Sequence, residues 1–274
     1  MKRIFICLLA LLGSGFSNVW AAEGAPRPIL DQYITIYGGA QFFDAKGEFS
    51  STEEGRPKTE LDLNDLDLNE NDISPVGAIN FRFFKRLNLR LDYYGYHQNG
   101  ERSAGFSFNF GDLEVPIDAR IKTSLDLDVY VANLSVDIIH TERARFGLGA
   151  GLHVADLDLD ISASLRVANV ESSLGKGSED LTAPLPNLFA TGAYAITDQL
   201  ILRYAAGWMS LSYGDWDGEL WLGQAFLEYW PLPYAGIGAG YRYLSADVNH
   251  DNGKRKEEYD VDLPGPIVYL TFGF

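Results

Sequence analysis

The chain has 274 residues, 22 Lys+Arg against 38 Asp+Glu, a net charge of -16, 46% apolar residues, 28 glycines and 36 aromatic side chains (16 Phe, 15 Tyr and 5 Trp). No run of about 18 apolar residues follows residue 20, which excludes a helical membrane protein. A polyanion would repel a chain this acidic, so nucleic acid is excluded as a partner.

Residues 1–21 read as a cleaved signal peptide. Lys2 and Arg3 precede the apolar run IFICLLALL, and Val19 and Ala21 occupy the two cleavage-specifying positions. Cleavage removes two positive charges and no acid, taking the net charge from -16 to -18, and it also removes Cys7, the sole cysteine. The remaining residues, 22–274, form one domain with no disulfide framework and no thiolate metal site.

From residue 33 onward the pattern is alternation at period two, the mark of strands with one apolar face. It recurs over residues 33–44, 74–84, 87–97, 124–138, 145–158, 184–196, 199–213, 218–230, 234–246 and 264–274. Each is long enough for a tilted transmembrane strand of about 9 to 11 residues. The tight links FKRL, HTERA, TDQ and PLP alternate with connections that are mostly long. Short turns at one end and longer loops at the other predict an antiparallel transmembrane β-barrel of ten strands. Eight or twelve are the alternatives, twelve by counting 58–69 and 102–112 as spanning strands.

Parity sorts the charges. Ile79, Phe81, Phe83, Phe146, Leu148, Leu152 and Val154 are predicted to face lipid. Arg82, Arg90, Asp92, Asp137, His153, Arg203, Glu228 and Arg242 are predicted to face the lumen. A charge on the lipid face at mid-bilayer costs roughly 2 to 4 kcal/mol, so the sorting is physically demanded. The lumenal set reads as a paired network that plugs a narrow barrel or as the lining of a selective pore.

Three segments, LDLNDLDLNEND at 61–72 and LDLD at 125–128 and 157–160, carry the acidity. In the latter two, parity sends Leu125, Leu127, Leu157 and Leu159 inward and Asp126, Asp128, Asp156, Asp158 and Asp160 outward. The strands are therefore predicted to run past the membrane surface; 120–139 alone would measure roughly 65 Å. The aspartates are candidate contacts for weakly bound Ca2+ or Mg2+ bridging to lipopolysaccharide, or simply a solvated acidic wall. No cofactor and no dedicated metal site is expected. Asn99-Gly100 is a hairpin signal, after which Phe106, Phe108 and Phe110 share a face, as a cap or a surface for hydrophobic capture. Residues 168–181 and 249–262 read as loops.

The final strand, GPIVYLTFGF, places Val268, Leu270, Phe272 and the terminal Phe274 on one face. In this it resembles bacterial outer-membrane β-barrel proteins. The resemblance implies insertion in the Gram-negative outer membrane, contact with outer-membrane lipid and lipopolysaccharide, and recognition of Phe274, Phe272 and Leu270 by the barrel assembly machinery. The order of DLNDLDL, GAINFRFF, GFSFNF and LGAGLHVADLDLD is similar to that in a set of uncharacterised proteobacterial outer-membrane barrel proteins, which implies a fold and a location without an activity. A ten-strand count also resembles that of the omptin proteases, but His97, His140, His153 and His250 fall in no matching constellation. The sequence thus predicts a monomeric, non-enzymatic barrel with an envelope-structural or surface-interaction role and a mostly plugged lumen. A small channel or apolar-ligand transporter, and a lipid-modifying or proteolytic enzyme, are the alternatives.

Overall fold

In a computed structural model, residues 29–44, 46–53, 59–62, 68, 71–105, 107–110, 113–167, 170–251, 253 and 255–274 are described. The predicted signal peptide and Phe106 lie outside them. The strands in chain order are β1 (Ile34–Asp44), β2 (Lys46–Glu53), β3 (Thr59–Asp62), β4 (Asn71–Phe83), β5 (Leu87–Ser103), β6 (Phe108–Phe110), β7 (Leu113–Val115), β8 (Arg120–His140), β9 (Ala144–Val167), β10 (Val170–Ala195), β11 (Leu200–Tyr213), β12 (Trp216–Leu232), β13 (Ala235–Asp251), β14 (Arg255–Asp262) and β15 (Gly265–Gly273).

Ten of these close a ring in the order β1-β4-β5-β8-β9-β10-β11-β12-β13-β15, with every neighbour antiparallel and β15 returning to β1. The period-two segments become these strands because closure leaves each with a polar inner face and an apolar outer one. β15 shows the rule: Gly265, Ile267, Tyr269 and Thr271 are buried, and Val268, Leu270 and Phe272 are exposed. The segments that a twelve-strand count would have used become the short β3 and β6, both outside the ring.

The outer surface carries an apolar belt that includes Leu134, Leu148, Leu188, Leu227, Ile237 and Leu270. Register brackets it with aromatic side chains: Tyr194, Tyr229, Tyr234 and Phe272 near the short turns, and Tyr130, Trp208, Trp221, Tyr241 and Tyr243 toward the long loops. Aromatic girdles at both margins of an apolar band are the surface that a bilayer requires. By the same rule the short-turn end is periplasmic and the loop end extracellular.

β8, β9 and β10 have 21, 24 and 26 residues, about twice a crossing. Above the belt, β5-β8-β9-β10 continue as one wall, while β11, β12, β13, β14, β2 and β3 pair in that order as another. The inner faces meet in one core that includes Phe43, Leu61, Tyr96, Leu125, Leu127 and Leu263, with Leu157 and Leu159 packed against it. The β6–β7 hairpin roofs it with Phe108, Phe110, Leu113 and Val115, all buried.

Three local expectations are corrected. Asn99-Gly100 forms no turn: both residues lie inside β5, paired with Ser124 and Thr123, because the ladder to β8 runs on to Ser103↔Arg120. The hairpin comes later, between Phe110 and Leu113. The stretches read as loops at 168–181 and 249–262 are largely strand, since Glu171 to Leu181 pair with β9 and Lys256 to Asp262 with β13.

Candidate functional site

The lower barrel interior is built from side chains that alternation turns inward. Arg82 donates to Asp137 at 2.8 Å, and Asn88 donates to the other carboxylate oxygen of Asp137 at 2.9 Å. Arg90 grips Asp92 through Nε and Nη2 at 2.8 to 3.0 Å and stacks over the Tyr37 ring, 4.8 Å from its centroid. Glu228 is fully buried, pairs with Arg203 at 2.9 Å, and accepts hydrogen bonds from Trp230 Nε1 and Tyr269 OH, both at 2.9 Å. A buried carboxylate with three donors is well satisfied.

Glycine makes the last contact sterically possible. Gly238 lies between Glu228 and Tyr269 in register, and a β-carbon there would come within 2.3 Å of the Tyr269 ring. The bare backbone lets the phenol lie flat across β13 and reach Glu228.

Sequence reasoning left two parts out of this network. Arg145 pairs with Asp31, which belongs to a short turn, Ile29–Asp31, ahead of β1. That turn drives Leu30 into a cluster with Ala193, Ile201 and Trp230, and Gln32 Nε2 donates to the carbonyl of Pro233 at 2.9 Å. Residues 30–32 thus pack against side chains and backbone of β9 to β12 and the turn at Pro233, at the periplasmic end of the barrel. Parity identifies Arg145 as inward, but residues 29–32 show no periodicity that could have flagged them.

Between these residues and the upper chamber lies a cavity of about 130 Å3, lined by the five arginines together with Asn133, Asn187, Asp92 and Asp137. Four of those arginines have carboxylate partners, Asp137, Asp92, Asp31 and Glu228. Arg242 does not. It is buried, donates to Gln224 at 3.0 Å and to Gln41 at 3.4 Å, and lies 4.7 Å from the Tyr94 ring centroid. Among the described residues no carboxylate stands within ion-pair distance of it.

Above Arg242 the chemistry changes abruptly. The chamber between the two walls has a volume of about 70 Å3, lined by Phe49, Leu125, Leu127, Leu157, Leu159 and Leu181 among others. Below, it continues into a second apolar pocket that shares Leu127, Leu157 and Leu181 and has Tyr94 and His153 in its lining. His153 therefore stands at this boundary, with no carboxylate bonded to it.

On the outer face, Asp126 is paired in register with Asp158, Asp128 with Asp156, and Asp158 with Asp180. Tyr93 donates to Asp128 at 2.7 Å, Thr182 to Asp156 at 2.7 Å, and Lys176 to Asp160 at 3.0 Å. Desolvation and the neighbouring carboxylates of Asp156, Asp180, Asp126 and Asp160 hold the Asp158 carboxyl above its ordinary pKa. Among the described residues no three or more His, Cys, Asp and Glu side chains are grouped to hold a metal ion. His97 lies 3.4 Å from Asp128 on this outer face, and His250 stacks on Trp216 at 4.1 Å, so the structure does not bring these two histidines together. Phe274, Phe272 and Leu270 are exposed at the periplasmic margin, and the Phe274 carbonyl accepts from the amides of Tyr33 and Ile34.

No protein-family description and no curated protein matches the chain by sequence. Its shape does match solved structures. The outer membrane protease OmpT from Escherichia coli is 13% identical, with 88% of this chain and 97% of that one covered at a TM-score of 0.56. This chain has the fold of a bacterial outer-membrane β-barrel. The translocator domain of the autotransporter NalP from Neisseria meningitidis, 13% identical over 88% of both chains, has a TM-score of 0.44. OprG from Pseudomonas aeruginosa, also 13% identical, covers 88% of this chain and 95% of its own at 0.35. At such identities the likeness concerns the barrel and carries no activity with it.

Proposed function

We propose that this outer-membrane barrel is a closed, non-enzymatic protein whose working part is the extracellular vestibule, where it serves a surface-interaction role. The observation that carries this reading is the filling of the lumen: four buried or half-buried ion pairs lie along its inner face, one of them tying Asp31 of the N-terminal turn to Arg145, and Leu30 packs on Trp230 and Ile201 at its lower end. Ions crossing here would have to displace charges already compensated in a low-dielectric site. On this reading the cavity above Leu30 is a pocket rather than a path.

Planar-bilayer recordings of the full-length purified barrel test this. Silence, or only brief small openings, is the expected result; a stable large conductance overturns it. The proteolytic reading invited by the fold of OmpT has, among the described residues, two histidines beside carboxylates to offer, His97 with Asp128 and, at the periplasmic end, His140 with Asp31 and Asp137. Peptidase or lipid-hydrolase activity that is lost on His97→Ala or His250→Ala would replace the non-enzymatic reading.

A further inference from the structure

We propose that the vestibule binds a free single-chain amphiphile with a carboxylate head, such as a medium-chain fatty acid, its head at the floor by Tyr94 and its tail toward the β6–β7 roof. The proposal deepens the vestibule reading and depends on it for the location of the site alone.

Three observations converge. The chamber wall is apolar on nearly every side, and such a wall selects hydrocarbon because burying it removes apolar surface from water. Its floor holds two buried polar groups without partners, the Tyr94 hydroxyl and His153 Nδ1, with Tyr94 and His153 only 3% and 2% exposed. Unpaired buried groups of this kind are costly, and a ligand that supplies the missing hydrogen bonds recovers that cost. The third is charge. The Arg242 guanidinium rests against the Tyr94 ring and is the lumenal arginine left without a carboxylate among the described residues. A carboxylate beside Tyr94 would compensate it.

The polarity of the site selects a free acid over a membrane lipid. A bilayer lipid entering tail-first would put hydrocarbon against Tyr94, His153 and the Arg242 charge, and leave its head at the roof. A free acid can enter head-first. From Val129, paired with Tyr94, to Leu125 the wall rises four residues, about 13 Å, enough for a chain of roughly ten carbons. An entry is also built in. The β10–β11 ladder begins at Leu188↔Trp208, so β10 above it is paired only to β9, and Leu181, Ala183 and Leu185 from that stretch line the chamber opposite Leu220 of β12. Trp208 and Trp221 flank the start of this seam, both exposed and both donating to Glu219, at the level where an amphiphile partitions from the outer leaflet.

The test is calorimetric titration of the purified full-length barrel in amphipol with decanoate and, separately, decanol, using amphipol alone as the blank. Saturable one-site binding of decanoate is expected, with decanol weaker by roughly tenfold, the worth of a charge-assisted hydrogen bond. Arg242→Met should shrink that preference to below about twofold, and Leu157→Trp should abolish both by filling the chamber. Heat-modifiable gel mobility shows that each variant is folded. The proposal fails if the folded wild type shows no saturable binding, if decanol binds as well as decanoate, or if Leu157→Trp binds unchanged. A conducting barrel that binds decanoate would instead refute the closed-lumen reading and leave this one standing.

Discussion

At the scale of single residues, the interior is governed by compensation, and Glu228 is its clearest case. Removing the charge while keeping the shape, in Glu228→Gln, strands the Arg203 guanidinium and turns one of the carboxylate's accepting oxygens into a donor facing Trp230 or Tyr269. Breaking a buried pair in this one-sided way costs about 3 to 5 kcal/mol. Urea unfolding from lipid vesicles should show that loss, and the double variant Glu228→Gln with Arg203→Met should recover a good part of it. Equal loss in single and double variants would mean that the pair contributes only bulk. Gly238→Ala acts on the same contact through sterics, since its methyl would displace the Tyr269 ring from above Glu228; a loss of about 1 to 3 kcal/mol is expected in the same assay, reduced in a Tyr269→Phe background. Apart from Asp31, the charged members of this network were legible as inward-facing residues, because parity on an alternating strand assigns a face. Their pairing was not legible, because which arginine meets which carboxylate depends on register between strands. Tyr94 stayed hidden for a related reason: parity turns it inward, but nothing local shows that its hydroxyl lacks a partner.

At the scale of elements, alternation was a reliable guide wherever one face meets lipid, and a poor one where both faces of a strand are polar. Residues 171–180, ESSLGKGSED, read as a loop yet extend β10, held by the ladder to β9 rather than by their own pattern. Asn99-Gly100 misled in the opposite direction, a turn signal overridden by pairing with β8. The acidic ladder of β8, β9 and β10 gives a pH prediction. Asp158 has a raised pKa, so the folded state takes up its proton more readily than the unfolded chain, and its charge opposes folding at neutral pH. Asp158→Asn should therefore stabilise the extension at pH 7 by roughly 0.5 kcal/mol, in the range of cross-strand like-charge effects. The gain should fade as pH falls through the upper carboxylate range, where wild type is itself protonated. Thermal unfolding of the vestibule across pH 4 to 7 checks this; a gain that persists at the acid end contradicts the assignment. The roof hairpin gives a second test. Phe110 is buried under it against Phe49, and Phe110→Ala should loosen the vestibule by about 3 kcal/mol while the ring below keeps its unfolding midpoint.

At the scale of the whole molecule, the protein is two tiers sharing some strands and not others. The lower tier is a closed ring in which each strand has two neighbours. The upper tier is two walls, β5-β8-β9-β10 and β11-β12-β13-β14-β2-β3, with β10 above Leu188 paired only to β9, and they are held together by the apolar core and the hairpin roof. The net charge of -16 divides along the same line, with the paired arginines enclosed below and the aspartate rows exposed above. Closure removes edges and the bilayer stabilises the apolar belt, so opening the lower tier requires global unfolding. The upper tier can open alone, at the expense of its core and a few edge ladders. Hydrogen exchange followed by mass spectrometry on the barrel in nanodiscs should show this as two kinetic classes. Amides of β2, β3 and β14 should exchange at least tenfold faster than those of β1, β12 and β15 in the ring, and β10 should divide near Leu188, where its pairing changes from one neighbour to two. Decanoate, if it seats on Tyr94, should slow the fast class and leave the slow one untouched, since only the upper tier gains contacts from it. Uniform exchange along β10 would mean that the walls and the ring unfold as one unit, and the vestibule could not then admit a ligand without disturbing the barrel.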